Sequence, residues 1–244
     1  MDGGSIATLT REDPGTVAPH APLIELKRVE KVYRSGKLEY PALRGVDLTI
    51  EEGEMVAVVG PSGSGKTTIM NMITGIDRAT AGTVSVDGQL LNEMSEEQLA
   101  IWRGSNVGIV FQFFQLLPTL SALENAMLPL DFARRGSRRE RFDTARHNLE
   151  LVGLGDKLDH VPAELSGGEQ QRVAIARALA ADPKLIIGDE LTGNLDTQTA
   201  AEMFELLQRL NDEGKTVLYV THDLGLAARA GRMVTIRDGD VVGR

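Results

Sequence analysis

The sequence predicts an α/β fold in which helices cover a parallel sheet and an antiparallel sheet lies beside it. Three observations support this prediction. Short, continuously apolar segments alternate with helical patterns around residues 55–75 and again after residue 166. Two alternating segments are separated by a polar turn between residues 23 and 50. Capping-box spacings indicate several helix starts in the middle of the chain.

The composition permits one substantial core and restricts the kinds of partner. The 244 residues are 42% hydrophobic, and the absence of cysteine excludes a disulfide framework or a thiolate metal site. A formal net charge of -9 argues against a surface that follows nucleic acid, so no nucleic-acid partner is expected. No apolar run approaches the roughly 18 residues that span a bilayer. Residues 1–22 are expected to form a flexible tail before a single domain at residues 23–244.

The N-terminal half is expected to begin with an antiparallel pair of strands. Apolar positions recur over residues 24–29 and 43–48, on either side of a polar turn at residues 35–36. The continuously apolar run at residues 55–59 is typical of a parallel strand buried on both faces. A glycine-rich segment then leads into a helix expected over residues 66–75.

A helix-rich lobe is expected from about residue 113 to residue 181. Ser121, like Ser95 before the lobe, has the spacing of a capping box, and residues 138–152 have a helical pattern. A further helix is expected to run from Ser166 to the end of the lobe. The lobe would therefore interrupt the sheet.

Strands and helices alternate again in the C-terminal part. A buried strand is expected at residues 185–187, a helix from Thr197 and a second strand at residues 216–220. A final hairpin is expected to turn at Asp238 and Gly239. This alternation predicts that the parallel sheet continues to the end of the chain.

The segment GPSGSGKT at residues 60–67 matches the phosphate-binding loop Gly-x4-Gly-Lys-Thr. Small residues let backbone N–H groups point at an anion, and a strand before and a helix after argue against a mere flexible linker. Lys66 would face the β- and γ-phosphates of ATP, and the Thr67 hydroxyl would ligate Mg²⁺. The expected nucleotide contacts here are Gly60, Ser62, Gly63, Ser64, Gly65, Lys66, Thr67 and Thr68.

Two adjacent carboxylates, Asp189 and Glu190, follow the predicted strand at residues 185–187. Successive strand side chains point to opposite faces, so the two groups can have different roles. Asp189 would hold Mg²⁺, and Glu190 would polarise the water that attacks the γ-phosphate. Alone, such a pair is more typical of a solvated turn. The phosphate loop in the same chain favours the catalytic interpretation.

The segment LSGGEQQR at residues 165–172, taken with the phosphate loop and the two carboxylates, resembles the signature of ABC transporter ATP-binding subunits. Ser166 and Glu169 have capping-box spacing, so the segment is at least a well-capped helix start. With Gly167 and Gly168 it would form a second anion site. The resemblance covers nearly all of residues 23–244. It implies a P-loop ABC nucleotide-binding domain with antiparallel β and helical subdomains, and a homodimer that buries two MgATP.

The resemblance implies roles for four further residues. Tyr33 would stack on adenine, although simple packing is also compatible with a tyrosine at a strand end. Gln112 would contact Mg²⁺ and the attacking water. His222 would contact the γ-phosphate, although a lone histidine is usually structural. Asp196 belongs to a loop that would cross the dimer interface.

The segments TGNLD at residues 192–196 and LSGGEQQRVAIAR at residues 165–177 resemble the lipoprotein-releasing, macrolide-exporting and cell-division branch. This implies a separately encoded integral membrane permease and a peripheral location on the cytoplasmic face of the inner membrane. Trp102, Met127 and Leu128 could line a groove for that partner or belong to the core. A soluble ABC ATPase and a slow, nucleotide-gated clamp remain alternatives.

Two residues depart from the family's usual pattern next to the carboxylates. Gly188 stands where an alanine is usual, and Leu191 stands where a proline is usual. Proline fixes φ, so Leu191 is expected to loosen the segment after Glu190 by about 0.4–1 kcal/mol. Hydrolysis is expected to persist, and Leu191→Pro is expected to leave turnover similar or higher.

Overall fold

A computed structural model describes residues 21–191, 193 and 196–243. Most of the predicted N-terminal tail and three positions of the TGNLD segment lie outside the described residues. The elements, in chain order, are β1 (Ile24–Ser35), β2 (Leu38–Ile50), β3 (Met55–Val59), α1 (Lys66–Ile73), β4 (Ala81–Val86), β5 (Gln89–Leu90), α2 (Glu96–Asn106), β6 (Val107–Val110), α3 (Ala122–Phe132), α4 (Arg138–Leu151), α5 (Gly167–Ala178), β7 (Leu185–Asp189), α6 (Thr197–Asp212), β8 (Thr216–Val220), α7 (Leu224–Ala227), β9 (Arg232–Arg237) and β10 (Asp240–Gly243).

Two sheets form the body of the described chain. The first is antiparallel, with the strand order β2-β1-β4-β5, and it contains the predicted N-terminal hairpin. The second has the order β10-β9-β3-β8-β7-β6 and is parallel except for the edge strand β10. The predicted α/β fold class is confirmed. The turn between β9 and β10 lies at Asp238 and Gly239, as expected.

Strand β3 shows why the second sheet needs continuously apolar strands. Met55, Ala57 and Val59 belong to one buried cluster, which also contains the helices of the middle segment. Val56 and Val58 belong to a second buried cluster, between this sheet and the antiparallel one. Because both faces are covered, every residue of β3 is buried.

The middle segment is helical, and its helices begin as the sequence predicts. Ser95, Ser121 and Ser166 each accept a hydrogen bond from the backbone N–H three residues later, in complete capping boxes. Helices α3, α4 and α5 pack against one another. Helix α5 ends at Ala178, three residues before the expected end, because its last carbonyl groups are taken up by a tighter final turn.

Three side chains proposed for a partner groove are separated by the structure. Trp102 and Met127 are 5% and 8% exposed and belong to the two buried clusters. Leu128, in contrast, lines a large open groove between α2 and α3. Of the two alternatives, the core position is therefore confirmed for Trp102 and Met127, because their faces of α2 and α3 pack into the core. In the described part of the chain, no helix combines the length and apolarity that a membrane crossing requires.

Candidate active site

The phosphate loop connects the carboxyl end of β3 to α1, and two of its glycines are required by space as well as by backbone angle. Gly60 has φ +155°, and a Cβ there would lie 2.1 Å from the Ile236 carbonyl oxygen. Gly65 has φ +107°, and a Cβ there would lie 2.7 Å from the Ala42 carbonyl oxygen. The loop is thus held tightly between two strands.

Helix α1 begins without any side-chain cap. Its N-cap is Gly65, and no acidic residue lies in its first turn. The Nζ of Lys66 donates to the carbonyl oxygens of Gly60 and Pro61, each at 2.9 Å, and the lysine is 8% exposed. Free N–H groups, the helix dipole and this ammonium all favour an anion at the same place.

A cleft of about 400 Å³ opens above the loop. It collects most of the cleft residues that the sequence predicts, namely Tyr33, Ser62, Gly63, Gly65, Lys66, Thr67, Thr68, Glu190 and His222. Gly60 and Ser64 do not line the cleft but shape the loop from below, since Ser64 is buried. The volume suits a ligand of moderate size with a polar end.

The cleft also contains Tyr40, which the sequence analysis did not single out. Its hydroxyl donates to the Gly63 carbonyl oxygen at 3.2 Å, and it pairs with Tyr33 across the β1–β2 hairpin. The hairpin register could have revealed it, because cross-strand partners share a face of the sheet. Tyr33 itself is 39% exposed, with the Lys31 ammonium 4.9 Å from its ring centroid. Burial raises the pKa of the Tyr33 phenol.

The adjacent carboxylates contact different partners, as the strand alternation predicts. The hydroxyl of Thr67 donates to Asp189 Oδ2 at 3.3 Å. Glu190 Oε2 accepts from Gln112 Nε2 at 2.9 Å, and its Oε1 lies 3.2 Å from His222 Nδ1. Glu190 has φ +46°, in the left-handed region, although it is not glycine. Such strain is typical of functional positions.

Burial raises the pKa of Asp189, and the neighbouring charge of Glu190 adds to this, while the Thr67 hydrogen bond and Lys66 oppose it. A cation beside the carboxylate would relieve this electrostatic cost. Thr67 and Asp189 present two oxygen donors together, a set that suits a hard cation sharing its remaining positions with phosphate and water. Over residues 21–191, 193 and 196–243, no cluster of three or more His, Asp or Glu side chains forms a complete metal cage.

A second group of predicted site residues lies away from the cleft. Ser166 Oγ accepts from the N–H of Glu169, whose carboxylate accepts from the Ser166 N–H at 2.8 Å. Gly168 is closely approached by α6, since a Cβ would lie 2.4 Å from Thr199 Cγ2. Asp196 caps α6. The cleft is lined by none of Ser166, Gly167, Gly168 and Asp196.

The structure adds a contact that the expectation of a loose segment after Glu190 did not include. Leu191 is 6% exposed and belongs to the buried cluster around Phe204 and Tyr219. The expectation considered only the lost proline ring. Burial of the leucine side chain stabilises the position of residue 191.

Comparison with known proteins assigns the family. The family model described as ABC transporter matches residues 43–193, more than half of the chain. The chain belongs to the ABC transporter family. A lipoprotein-releasing system ATP-binding protein LolD from Anaeromyxobacter dehalogenans is 48% identical over 91% of this ABC chain and 93% of its own length. An uncharacterized ABC transporter ATP-binding protein from Thermotoga maritima is also 48% identical, over 91% and 94% of the two chains.

A macrolide export ATP-binding/permease protein MacB from Syntrophobacter fumaroxidans is 48% identical over 89% of this ABC chain, which spans 31% of that protein. Among solved structures, the dimeric post-hydrolysis state of the ATP-binding cassette MJ0796, bound to ADP and Pi, superposes with a TM-score of 0.83. That cassette is 44% identical over 90% of this chain. The chain is accordingly an ABC ATPase.

Proposed function

We propose that two copies of this chain close head to tail on two molecules of MgATP, and that hydrolysis reopens the pair and moves a separate membrane subunit. The division of the site residues into two groups carries this proposal. One group lines the cleft or directly supports residues that line it, whereas the Ser166 group lies outside it. A second copy can bring its Ser166 group to the open side of the cleft. The dimeric form of the similar cassette MJ0796 supports this arrangement.

Within each site, the residues present fit hydrolysis of the γ-phosphate. Lys66 and the free N–H groups of α1 would bind the phosphates. Glu190 would accept a proton from the attacking water while the oxygen of that water bonds to the γ-phosphorus. The bond between the γ-phosphorus and the bridging β-phosphate oxygen then breaks, which gives ADP and phosphate. Gln112 and His222 hold the two oxygens of Glu190 and so orient the carboxylate.

Mg²⁺, when bound, would neutralise charge on the β- and γ-phosphates. Thr67 and Asp189 would hold it, and Gln112, whose amide already contacts Glu190, would complete the protein side of the site. These residues fit the ion because Mg²⁺ is usually held by one or two protein groups together with phosphate oxygens and waters. The raised pKa of Asp189 indicates a carboxylate whose charge is poorly compensated by the protein alone.

The groove beside α2 and α3 is the proposed contact with the membrane subunit. It measures about 1080 Å³ and is lined mainly by apolar side chains, of which Phe132 and Ile101 are 82% and 67% exposed. Exposed apolar patches of this kind are typical of interaction surfaces. A short apolar helix at the cytoplasmic end of an export or lipoprotein-release permease would fit it. This would place the ABC ATPase on the cytoplasmic face of the inner membrane.

The catalytic role of Glu190 is tested with the purified chain. Glu190→Gln is expected to lower phosphate release by about 10²–10⁴-fold, the usual contribution of a general base. With MgATP, the variant is expected to form a dimer in light scattering, whereas the wild type returns to monomer as it hydrolyses ATP. Equal, very slow release by both proteins would favour a nucleotide-gated clamp. A variant that stays monomeric with MgATP would contradict the sandwich.

The membrane partner is tested by a pull-down from detergent-solubilised host membranes, with tagged Glu190→Gln held closed by MgATP. Co-purification of a membrane protein with a few spans and a large extracytoplasmic domain would support the export or lipoprotein-release type. Phe132→Glu, which places a charge in the groove without touching the cleft, serves as the matched control and should lose that partner. Recovery of only soluble proteins would favour a soluble ABC ATPase.

A further inference from the structure

Gly188 is the penultimate residue of β7. The space around it, and not its backbone conformation, requires a glycine at this position. Its φ is not positive, so the backbone conformation itself would accept alanine. A Cβ at this position would, however, lie 2.4 Å from both Cγ and Cδ1 of Leu191. No side chain can approach that closely. The Leu191 side chain therefore occupies the place that a methyl group at position 188 would fill.

Leu191 is held there by more than one neighbour. Its side chain is buried, and it shares a small cavity with Phe204, Leu207 and Tyr219, from α6 and β8. The chain thus folds back after β7, so that residue 191 packs against the strand it has just left. The contact between residues 188 and 191 brackets Asp189 and Glu190, and Glu190 is the residue that directly follows β7.

Glu190 needs such support, because its own conformation is unfavourable. Its φ of +46° is strained for a residue with a side chain. Its N–H donates to the Val220 carbonyl oxygen at 3.0 Å, and its carbonyl oxygen accepts from the Gly193 N–H at 3.1 Å. The first bond ties the backbone of Glu190 to the end of β8, and the second closes a turn after it. The buried Leu191 side chain adds a further contact, which holds the turn against β7.

We infer that Leu191, seated in the space above Gly188, is a positioning residue that holds the Glu190 carboxylate towards the cleft, and that the two residues act as a unit. This inference rests on the proposed role of Glu190. It reverses the expectation for Leu191→Pro in this chain, because that substitution removes the buried leucine side chain while Gly188 provides no side chain to fill the space.

A cycle of substitutions tests the unit in the full-length chain: Gly188→Ala, Leu191→Ala and the double variant. Gly188→Ala is expected to lower kcat on the order of 10- to 100-fold, because small displacements of a catalytic group have effects of this size. Leu191→Ala is expected to lower kcat about tenfold. In the double variant the new methyl group fits the vacated space, so kcat should stay within about twofold of Leu191→Ala alone. Additive losses would overturn the inference.

Two comparisons separate positioning from a general loss of structure. Gly104→Ala is the matched control, since a Cβ there meets nothing within 4 Å and should leave kcat unchanged. Leu191→Met keeps the apolar volume and should retain most of the turnover. All values of kcat are expressed per site that binds ATP, with the Kd for ATP measured in parallel and expected to change less than about twofold. A merely structural role would reduce the number of binding sites but not kcat per site.

Three further outcomes also test the inference about Gly188 and Leu191. If Gly188→Ala does not fold, Leu191→Ala and Leu191→Met suffice, because equal kcat per site in both and in the wild type would overturn the inference. If Glu190→Gln hydrolyses ATP like the wild type, the proposed role of Glu190 fails, and the inference fails with it. If Glu190→Gln is inactive while the cycle is additive, the proposed function stands and only the Gly188–Leu191 unit is rejected.

Discussion

The N-termini of α1 and α5 are both proposed to face a nucleotide, yet they are built in opposite ways. Helix α1 starts at Gly65 with no capping side chain and no acidic residue in its first turn. Helix α5 starts at Ser166 with a complete capping box, in which the Glu169 carboxylate accepts from the Ser166 N–H. The other described helices of eight or more residues are also capped by side chains, at Ser95, Ser121, Ser137 and Asp196.

The difference indicates a division of labour between the two helix starts. The bare end of α1 leaves N–H groups and the positive end of the dipole for a ligand, and Lys66 adds a charge. The end of α5 already contains its own carboxylate. Glu169 is ionised at neutral pH, as an unperturbed glutamate would be, and the hydrogen bond from the Ser166 N–H lowers its pKa further. We therefore expect α1 to bind phosphate by itself and α5 to contribute only to a nucleotide that another copy already holds.

The largest expected effect is on the binding of ATP at the N-terminus of α1. Lys66→Met removes the ammonium but keeps most of the apolar stem. The affinity of the isolated chain for ATP should fall about 10- to 150-fold, which corresponds to about 1.5–3 kcal/mol for hydrogen bonds to a charged group. Titration calorimetry measures this. Lys157→Met is the matched control near α5, where Lys157 lies 3.4 Å from Glu169, and it should change the affinity less than about twofold. Equal losses would remove the proposed difference.

The next effect concerns the other end of α5. Arg177 donates from its two terminal nitrogens to the carbonyl oxygens of Phe114 and Gln115, both at 2.6 Å. These two residues have φ +55° and +53° and follow shortly after Gln112. Arg177→Ala leaves strained carbonyl groups unpaired, so the free energy of unfolding should fall by about 1–3 kcal/mol. Turnover should also fall, because Gln112 loses its support.

Arg172→Ala provides the control for this second prediction. Arg172 lies on the same helix and also makes two bonds, to the Val152 carbonyl oxygen and to Glu202. Its loss should lower the midpoint of thermal unfolding similarly and leave kcat per ATP-binding site unchanged. A normal kcat for Arg177→Ala would mean that the α5 C-terminus does not position Gln112.

These contacts show which parts of the structure the sequence could predict. The phosphate loop and the helix caps are local patterns, so their residues and geometry follow from spacing alone. The bonds of Arg177 connect residues 62 and 63 positions apart, and no short pattern indicates them. Leu191 was visible as a departure from the family. Its contact with Gly188 could not be predicted, because the space that the two residues share is visible only in three dimensions.

A smaller effect separates the two roles of Ser166. Ser166→Ala removes a cap, which should lower the free energy of unfolding by about 1 kcal/mol and the midpoint by about 2–4 °C. The affinity of the monomer for ATP should not change, but dimer formation by the Glu190→Gln background should weaken. Ser137→Ala removes the same kind of capping box from α4 and should cost similar stability without affecting the dimer. Equal dimer formation in both would leave Ser166 with a capping role only.

The smallest expected effect concerns the negative charge of Glu169 at the N-terminus of α5. Glu169→Gln keeps an acceptor for the Ser166 N–H, so the capping box should persist, and the midpoint of unfolding at neutral pH should fall only slightly with the loss of the charge. Removing the negative charge from the first turn of α5 should strengthen ATP-driven dimer formation about two- to fivefold, the scale of about 0.3–1 kcal/mol for a charge at a helix end. Sedimentation of the Glu190→Gln background, with and without the substitution, measures this.

The pH dependence of unfolding checks the electrostatic basis of that last prediction. The folded-state pKa of Glu169 is lowered, chiefly by the hydrogen bond from the Ser166 N–H. The charged carboxylate therefore stabilises the fold above its ordinary pKa of 4.5, and this stabilisation is lost as the pH falls through the folded value. Glu169→Gln should lack this acid-sensitive part of the unfolding curve. If the acid-sensitive part persists in Glu169→Gln, another carboxyl group causes it. If the dimer does not tighten, the charge of Glu169 does not oppose phosphate, and the contrast with α1 must have another source.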